Sequence, residues 1–338
     1  MQLVRFEKFG VARPGSLRLG ALLPADGPRA GDVLDLNRAL AVKFTGQAVE
    51  TAETEADSLL PAQMLDFLRR GESARESAEQ TLAWAREILA SRDGPDLVHA
   101  AALFPRRGVR LGAPVGRPGK IVAVARNYAA HAAERGQKSP PEEPVLFLKA
   151  PSAVIGPEDE IVLPAASRQV DYEGELAAVI GRTARRIPEA EALGCIAGYT
   201  VANDVSARDF QNVRGQHFIG KSCDTFAPMG PALVSANEVP DPQALALRTT
   251  VSGDLRQASD THQMIFSVAR LVAFVSQLMT LEPGDVLLTG TPSGVGAAAD
   301  PPRWLRSGDV VEVEIESLGV LRNPVRSPNS VTSAPARG

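Results

Sequence analysis

The chain has 338 residues, 44% of them hydrophobic and 22% charged, which is enough to form the cores of about two domains. Its formal net charge is −4 and no cluster of lysine and arginine stands out, which argues against nucleic acid and anionic membranes as partners. No apolar run reaches the ~20 residues of a membrane-spanning helix, and the N-terminus has no apolar signal segment. These features predict a soluble, cytoplasmic protein with no membrane partner.

The first part of the chain predicts a small α/β domain over residues 1–113. Short strand-like runs come first, and two helical patterns follow them. The first pattern contains the segment MLDFLRR and ends before Gly71, and the second begins with a capping box formed by Ser73 and Glu76. The segment from Phe104 to Lys120 is rich in glycine, proline and arginine, so we place the domain boundary within it.

The rest of the chain is rich in β-type segments, such as PVLFLKAPSAVIG and VVEVEIESLGVL, and has few helices. The clearest helix is predicted from Met264 to Met279, where apolar residues recur at helical spacing. Many strands with few helices predict an α+β domain, a mixed β-roll packed with helices, and not a doubly wound parallel sheet. We expect this domain to cover residues 114–326, and a flexible tail to cover residues 327–338.

The segment VDYEGELAAVIG, which starts at Val170, is predicted as one strand that carries acidic side chains. Side chains alternate along a strand, so Asp171, Glu173 and Glu175 are expected on one face, which then continues with apolar residues. A buried carboxylate costs several kcal/mol unless a cation accompanies it. The segment VVEVEIE also spaces its glutamates by two, but its regular alternation predicts a solvated face. The acidic segment therefore indicates either a less buried strand or a cation site.

A further acidic candidate, Asp204, follows an apolar strand-like run in the segment GYTVANDVSARDFQ. Together with Glu173 and Glu175 it would supply the oxygen ligands that hard divalent cations prefer. The alternative is that Asp204 caps a helical turn in VSARDFQ. The residues alone leave both interpretations open.

Among the 4 histidines, His131 is the strongest catalytic candidate. It lies in ARNYAAHAAERG, where Glu134 shares its face if the segment is helical. A neighbouring carboxylate fixes the tautomer of a histidine and increases its basicity, as a general base requires. The alternative is an exposed pair worth roughly a few tenths of a kcal/mol. The polar, proline-rich segment RGQKSPPEEP that follows predicts a mobile lid.

Six segments occur in order between Ala125 and Gly296, and together they resemble the fumarylacetoacetate hydrolase family. They are ARNYAAHAAE, FLKAPSAVIGP, VDYEGELAAVIG, GYTVANDVSARDFQ, GKSCDTFAPMGP and LLTGTPSGVG. The resemblance implies a catalytic domain of that family's β-roll or β-sandwich type, preceded by the small α/β domain that longer members carry. It also implies a homodimer.

The resemblance implies a metal site as well. Glu173, Glu175 and Asp204 match the positions that bind a divalent ion in the family, usually Mg²⁺ or Mn²⁺. Val124 and Ala125 occupy the stretch where some relatives have a fourth carboxylate. Because Ca²⁺ takes more oxygen ligands, it is a less suitable ion for this chain.

Catalytic and substrate-binding positions follow from the same resemblance. His131 and Glu134 match the dyad that activates water in hydrolytic members, and Lys221 matches a lysine that points into the site. Substrate-contacting positions are matched by Arg208, Gln211 and Thr291. Many relatives have tryptophan where this chain has His217, which changes the pocket shape that the family would imply.

These residues lead us to expect a hydrolase that cleaves a carbon–carbon bond in a β-diketo acid of the acylpyruvate or fumarylacetoacetate type. His131 would activate water, and the metal would stabilise the enolate that leaves. The alternative keeps the metal site but changes the reaction to decarboxylation of oxaloacetate, or to hydration or isomerisation of a 2-oxo acid. In both cases the partner is a small-molecule 2-oxo or diketo acid. A third hypothesis is that the ion only ties strands together.

Overall fold

The computed structural model describes residues 1–9, 17–24, 29–45, 50–91, 95–134, 136, 139, 141–211 and 216–328. Residues 135, 137, 138 and 140 of the predicted lid and residues 329–338 of the predicted tail lie outside these ranges. Among the described residues, no helix combines the length and the apolar character needed to cross a membrane.

The described residues form strands and helices along the whole chain. The strands are β1 (Gln2–Lys8), β2 (Arg18–Leu22), β3 (Val33–Asp35), β4 (Leu103–Phe104), β5 (Val109–Gly112), β6 (Ile121–Ala125), β7 (Val145–Lys149), β8 (Val154–Ile155), β9 (Ile161–Val162), β10 (Val170–Asp171), β11 (Gly174–Ile180), β12 (Ile196–Asn203), β13 (Ser206–Ala207), β14 (Ala227–Ser235), β15 (Ala246–Val251), β16 (Asp254–Asp260), β17 (Val286–Leu288), β18 (Val310–Ile315) and β19 (Gly319–Arg326). The α-helices are α1 (Leu36–Thr45), α2 (Glu50–Leu59), α3 (Met64–Arg70), α4 (Glu72–Ala90), α5 (Ala129–Glu134), α6 (Glu189–Ala192), α7 (Arg208–Gln211), α8 (His217–Lys221) and α9 (Val268–Leu278).

The largest sheet has 12 strands and includes strands from both parts of the chain. Its main order is β4-β3-β2-β1-β14-β12-β11-β17-β6-β7, with β5 paired to β1 and β8 paired to β14. The junction is the antiparallel pair of β1 and β14, in which Gln2 lies opposite Val234. The N-terminal strands therefore extend the sheet that carries the acidic segment. The division into domains near residue 113 stays a prediction.

A second sheet has 5 strands in the order β16-β15-β18-β19-β9, and β15 and β18 contact β11 of the large sheet. In β18 the side chains of Val311, Val313 and Ile315 are buried, whereas Glu312 and Glu314 are partly exposed. The solvated face predicted for VVEVEIE is therefore confirmed. Several mixed sheets with short helices between them also confirm the predicted α+β class.

The acidic segment is not one strand, as its alternation predicts. It divides into β10, which pairs with β13, and β11, which lies in the large sheet between β12 and β17. At the break, side-chain oxygens accept hydrogen bonds from the backbone. The N–H of Tyr172 donates to Asp171 Oδ1 at 3.0 Å, and the N–H of Glu173 donates to Asn203 Oδ1 at 3.0 Å. Because these N–H groups leave the sheet ladder, Glu173 lies between two strands, but its carboxylate still converges with that of Glu175. Every residue of β11 is buried.

Two helix starts differ from their predictions. The helix α4 begins one residue before the predicted capping box of Ser73 and Glu76, and no side chain caps it. Gly71 occupies the N-cap position instead, so the capping box is wrong. The helix α9 begins later than its apolar pattern predicts, because Ser267 caps it by accepting a hydrogen bond from the backbone N–H of Arg270. A satisfied N–H at a cap fixes a helix start more strongly than apolar spacing does.

Gly174, the first residue of β11, allows the two sheets to approach closely. A Cβ atom at this position would lie 2.3 Å from Thr249 Oγ1 and 2.9 Å from Val313 Cγ1. We expect Gly174→Ala to lower the free energy of unfolding by roughly 1–3 kcal/mol, because these neighbours must shift. Urea unfolding measures the change. Gly108→Ala is the control, because a Cβ atom there meets nothing within 4 Å. Equal unfolding midpoints for the two variants would contradict this close packing.

Candidate active site

Three carboxylates meet where β11 begins and β12 ends. The two strands are antiparallel, with Gly174 opposite Asn203, and the N–H of Asp204 donates to the carbonyl of Glu173 at 2.8 Å. This pairing brings one carboxylate oxygen from each of Glu173, Glu175 and Asp204 within 4.8 Å of the others. All three residues are buried. The acidic triad, as we call these three residues, could therefore hold a divalent metal ion.

Two lysine ammonium groups contact the acidic triad. Lys221, the last residue of α8, donates to Glu173 Oε2 and to Asp204 Oδ2, each at 2.5 Å. Lys149, the last residue of β7, donates to Asp204 Oδ1 at 2.5 Å and to the carbonyl of Val205 at 3.2 Å. Asp204 therefore binds lysines and does not cap the following turn. The sequence predicts Lys221 but misses Lys149, whose signal is a charged residue at the end of an apolar strand.

Arg208 lies on the other side of Glu173. Its Nη2 atom is 2.6 Å from Glu173 Oε1, its Nε atom donates to Asp171 Oδ2 at 2.9 Å, and its Nη1 atom donates to Gln211 Oε1 at 3.1 Å. Asp171 also accepts hydrogen bonds from the backbone N–H groups of Gly296 and Ala297. The guanidinium is thus held by protein carboxylates, and this arrangement fixes the position of Glu173.

The surroundings of the two glutamates of the acidic triad shift their pKa values in opposite directions. Burial opposes ionisation of Glu173, but the charges of Lys221, Arg208 and His131 outweigh it and hold the pKa of Glu173 below its usual range. Burial raises the pKa of Glu175 well above its usual range, and the charges of Asp204 and Glu173 raise it further. Glu175 accepts a hydrogen bond from the backbone N–H of Gly290 at 2.7 Å. It is the triad carboxylate that no lysine or arginine pairs with among the described residues.

The predicted dyad is assembled next to the acidic triad. His131 Nδ1 lies 2.7 Å from Glu134 Oε1, and Glu134 Oε2 accepts a hydrogen bond from the backbone N–H of Gly294 at 3.0 Å. His131 is only 6% exposed, so the alternative of an exposed surface pair does not apply. Because Glu134 binds Gly294 and Glu175 binds Gly290 of the same short segment, the dyad lies close to the triad.

The two remaining predicted residues have different surroundings. Gln211 Nε2 is 3.2 Å from His217 Nδ1, so Gln211 links Arg208 to a second histidine. The hydroxyl of Thr291 donates to the carbonyl of Gly174 at 2.9 Å and accepts from Gln257 Nε2 at 2.8 Å. Thr291 therefore holds the start of β11 in place. Substrate contact by these residues stays a prediction.

Comparison with known proteins finds relatives that cover most of the chain. Residues 120–326 match the family described as fumarylacetoacetate (FAA) hydrolase C-terminal. The mitochondrial oxaloacetate tautomerase of Xenopus laevis is 41% identical over 327 residues, which cover 96% of this chain and 90% of that protein. A human mitochondrial oxaloacetate tautomerase is 46% identical over 271 residues, which cover 80% of this chain and 81% of that protein. The structure of a fumarylacetoacetate hydrolase from Exiguobacterium antarcticum is similar, with a TM-score of 0.72, 35% identity and coverage of 97% of this chain and 99% of that one.

These relatives overturn the expected reaction. The sequence predicts hydrolysis of a carbon–carbon bond in a β-diketo acid, whereas the relatives that are 41% and 46% identical are named oxaloacetate tautomerases. The prediction of a carbon–carbon hydrolase is therefore wrong. The alternative, which keeps the metal site and changes the reaction, is favoured. Both reactions need an enolate to be stabilised, so the same site residues are compatible with either.

The burial of Glu175 beside two carboxylates predicts that the metal-free protein loses stability as the pH rises. Folding raises the pKa of Glu175 above the unfolded value of about 4.3. The free energy of unfolding is therefore highest below that pH, where Glu175 is protonated in both states, and it falls as the pH rises toward the folded pKa. We expect the thermal midpoint in chelator to fall between about pH 5 and pH 8 in the wild type, and to fall less in Glu175→Gln. Differential scanning calorimetry measures both.

The exposed Glu142 provides the matched control for this measurement. Glu142→Gln should keep the pH dependence of the wild type. Added Mg²⁺ should raise the thermal midpoint of the wild type and of Glu142→Gln, but have little effect on Glu175→Gln, because binding to the native state stabilises it. Parallel pH curves for wild type and Glu175→Gln would contradict the repulsion among the triad carboxylates.

Proposed function

The chain belongs to the fumarylacetoacetate hydrolase family, and from this premise we propose that it is a divalent-metal-dependent tautomerase of a 2-oxo diacid such as oxaloacetate. One observation carries the proposal. The Xenopus laevis protein that covers 96% of this chain at 41% identity is an oxaloacetate tautomerase. A buried acidic triad beside a histidine–glutamate dyad supports the same reaction, because tautomerisation needs a stabilised enolate and a base.

The residues of the acidic triad fit a divalent ion. The triad and Asp171 together supply four carboxylates. Three cationic side chains form ion pairs with them: Lys149, Lys221 and Arg208. Three cationic side chains thus accompany four buried carboxylates, which leaves one negative charge when all are ionised. Glu175, whose pKa burial and two carboxylates raise, is the residue that an added cation would relieve most. A dication would leave the site with a positive charge that suits an anionic substrate.

We assign the metal to Glu173, Glu175 and Asp204, where it would supply Lewis acidity toward the carboxylate and 2-oxo oxygens of the substrate. Mg²⁺ and Mn²⁺ are the ions that we propose, since three carboxylates leave octahedral positions for substrate and water. We also propose a homodimer and a cytoplasmic location, on the family resemblance and the sequence composition. The named relatives from Xenopus laevis and human are mitochondrial.

We assign the proton transfer to His131. Its Nδ1 atom is held by Glu134, and its Nε2 atom has no partner among the described residues. In our proposal Nε2 takes a proton from C3 of the keto form, the electron pair of the broken C–H bond forms the C2–C3 double bond, and the π pair of the C2=O bond moves onto the 2-oxo oxygen. Nε2 then delivers this proton to the 2-oxo oxygen, which completes the enol. The reverse sequence of transfers returns the keto form, so no other reactant is consumed.

Lys221 has a different role in this proposal. Burial opposes its charge, but Asp204 and Glu173 outweigh burial and raise the pKa of Lys221 above its usual value. The amine therefore stays an ammonium, which cannot serve as the base. We propose that the Lys221 ammonium holds Glu173 and Asp204 in place. It would also offset the negative charge that develops on the substrate oxygen.

The proposed reaction is tested with oxaloacetate prepared in its enol form. We expect the purified protein to accelerate loss of the enol's ultraviolet absorbance, to require Mg²⁺ or Mn²⁺, and to lose this activity in chelator while staying folded by circular dichroism. Pyruvate is measured in the same samples. If pyruvate forms as fast as the enol disappears, the enzyme is a decarboxylase and the tautomerase proposal is wrong. Unfolding in chelator without any activity at saturating metal would instead favour a purely structural ion.

His131→Gln should slow tautomerisation by roughly 10²–10⁴-fold in kcat, because it removes the proton-transferring group and keeps the size of the side chain. The KM should change little, since substrate binding is assigned to other groups. Stopped-flow absorbance of the enol measures both. His99→Gln is the control, because His99 is exposed and lies outside the site. Equal rates for the two variants would remove His131 from the mechanism.

A further inference from the structure

His217 lies in the wall of the candidate active site. It begins α8, and Lys221 follows one helical turn later, so the two side chains share a face of the helix. Both contact the same ring: His217 stacks on Phe147 with centroids 5.1 Å apart and planes at 21°, and Lys221 Nζ is 5.1 Å from the Phe147 centroid. Because Lys221 also binds the acidic triad, Phe147 and Lys221 connect His217 to the triad.

The hydrogen bonds of Gln211 determine which nitrogen of His217 carries the proton. Arg208 has only donors, so the oxygen of the Gln211 amide must face it, as the 3.1 Å contact to Oε1 shows. The amide nitrogen therefore faces His217 Nδ1, at 3.2 Å. A donor can only be matched by an acceptor, so Nδ1 is unprotonated and the proton of the neutral ring is on Nε2. Arg208, through Gln211, thus fixes His217 as a neutral donor.

The surroundings of His217 agree with a neutral ring. Burial lowers the pKa of His217, and the charges of Lys221 and Arg126 lower it further, which outweighs the opposite effect of Glu173 and Asp204. Arg126 follows β6 with a positive φ of 60°, and its guanidinium has no carboxylate partner among the described residues. Nε2 of His217 has no hydrogen-bond partner among them either. The Nε2–H group of His217 is therefore a neutral donor without a partner in the described part of the chain, and Arg126 adds a positive charge. A carboxylate binds well to such a combination.

We propose that His217 is a specificity-determining residue, which donates a hydrogen bond from Nε2 to the carboxylate at the far end of the substrate. The inference rests on the proposed function and assigns recognition of the second carboxylate of its 2-oxo diacid substrate to one residue. The carboxylate and 2-oxo group at one end of the molecule belong at the acidic triad. The second carboxylate then lies against His217 and Arg126. A 2-oxo acid without that second charge leaves the Nε2 donor of His217 without a charged acceptor, which costs affinity.

The test compares oxaloacetate with its 4-methyl ester, which has the same carbon skeleton but no distal charge. His217→Phe keeps a flat ring that can stack on Phe147 and removes the donor, whereas His217→Gln keeps a donor. We expect His217→Phe to raise the KM for oxaloacetate by about 10-fold or more and to leave the KM for the ester within about 2-fold. The kcat for both should change little, and His217→Gln should recover part of the loss. Thermal midpoints confirm that each variant is folded.

A third variant tests the hydrogen-bond relay itself. In Gln211→Glu the new carboxylate accepts from both Arg208 and His217, which favours a proton on Nδ1 and stabilises the imidazolium. The KM ratio of ester to oxaloacetate should then become pH-dependent between about pH 6 and pH 8, whereas that of the wild type should be flat over this range.

The outcomes separate this inference from the proposed function. A wild type without tautomerase activity in saturating Mg²⁺ overturns the proposed function. An active wild type whose KM ratio is unchanged in His217→Phe overturns the role of His217 alone. An equal loss for diacid and ester would assign His217 a general role in the site and would also overturn the inference.

Discussion

Repulsion among buried carboxylates is the constraint on which the site depends. The carboxylates of Glu173, Glu175 and Asp204 lie within 4.8 Å of one another, and all three residues are buried. Lys149 and Lys221 contact Glu173 and Asp204, whereas among the described residues Glu175 accepts a hydrogen bond from a backbone N–H alone. Removing one partner from such a cluster leaves an uncompensated buried charge, which is costly. The cluster is therefore held in a state that an additional cation stabilises.

One glycine-rich loop connects the parts of the site. Three backbone N–H groups of the segment TGTPSGVG each bind a different carboxylate: that of Gly290 binds Glu175, that of Gly294 binds Glu134 and that of Gly296 binds Asp171. The loop thus positions the acidic triad, the dyad and the partner of Arg208 relative to one another. Glycine is required at Gly294, where φ is +100° and a Cβ atom would lie 2.1 Å from a backbone oxygen. Backbone donors suit this task because they do not add charge to the cluster.

The site explains why closely related chains can perform different reactions. Stabilising an enolate needs a metal site and nearby cations, and hydrolysis, decarboxylation and tautomerisation all share that need. The three reactions differ in what the base must do. In this chain His217 stacks on Phe147 beside Lys221, and we propose that His217 meets the far end of the substrate.

The sequence by itself determined the family, the α+β class and the carboxylates of the acidic triad, because short segments with fixed spacing carry that information. It also separated the solvated glutamates of VVEVEIE from the buried ones, since regular alternation is a local property. Only the tertiary structure decided that the acidic segment breaks at Glu173, that Lys149 binds Asp204, and that the pKa values of Glu173 and Glu175 shift in opposite directions. Lys149 and Asp204 are 55 residues apart, and strand pairing brings them together. Charge states depend on such neighbours, which no local pattern in the chain contains.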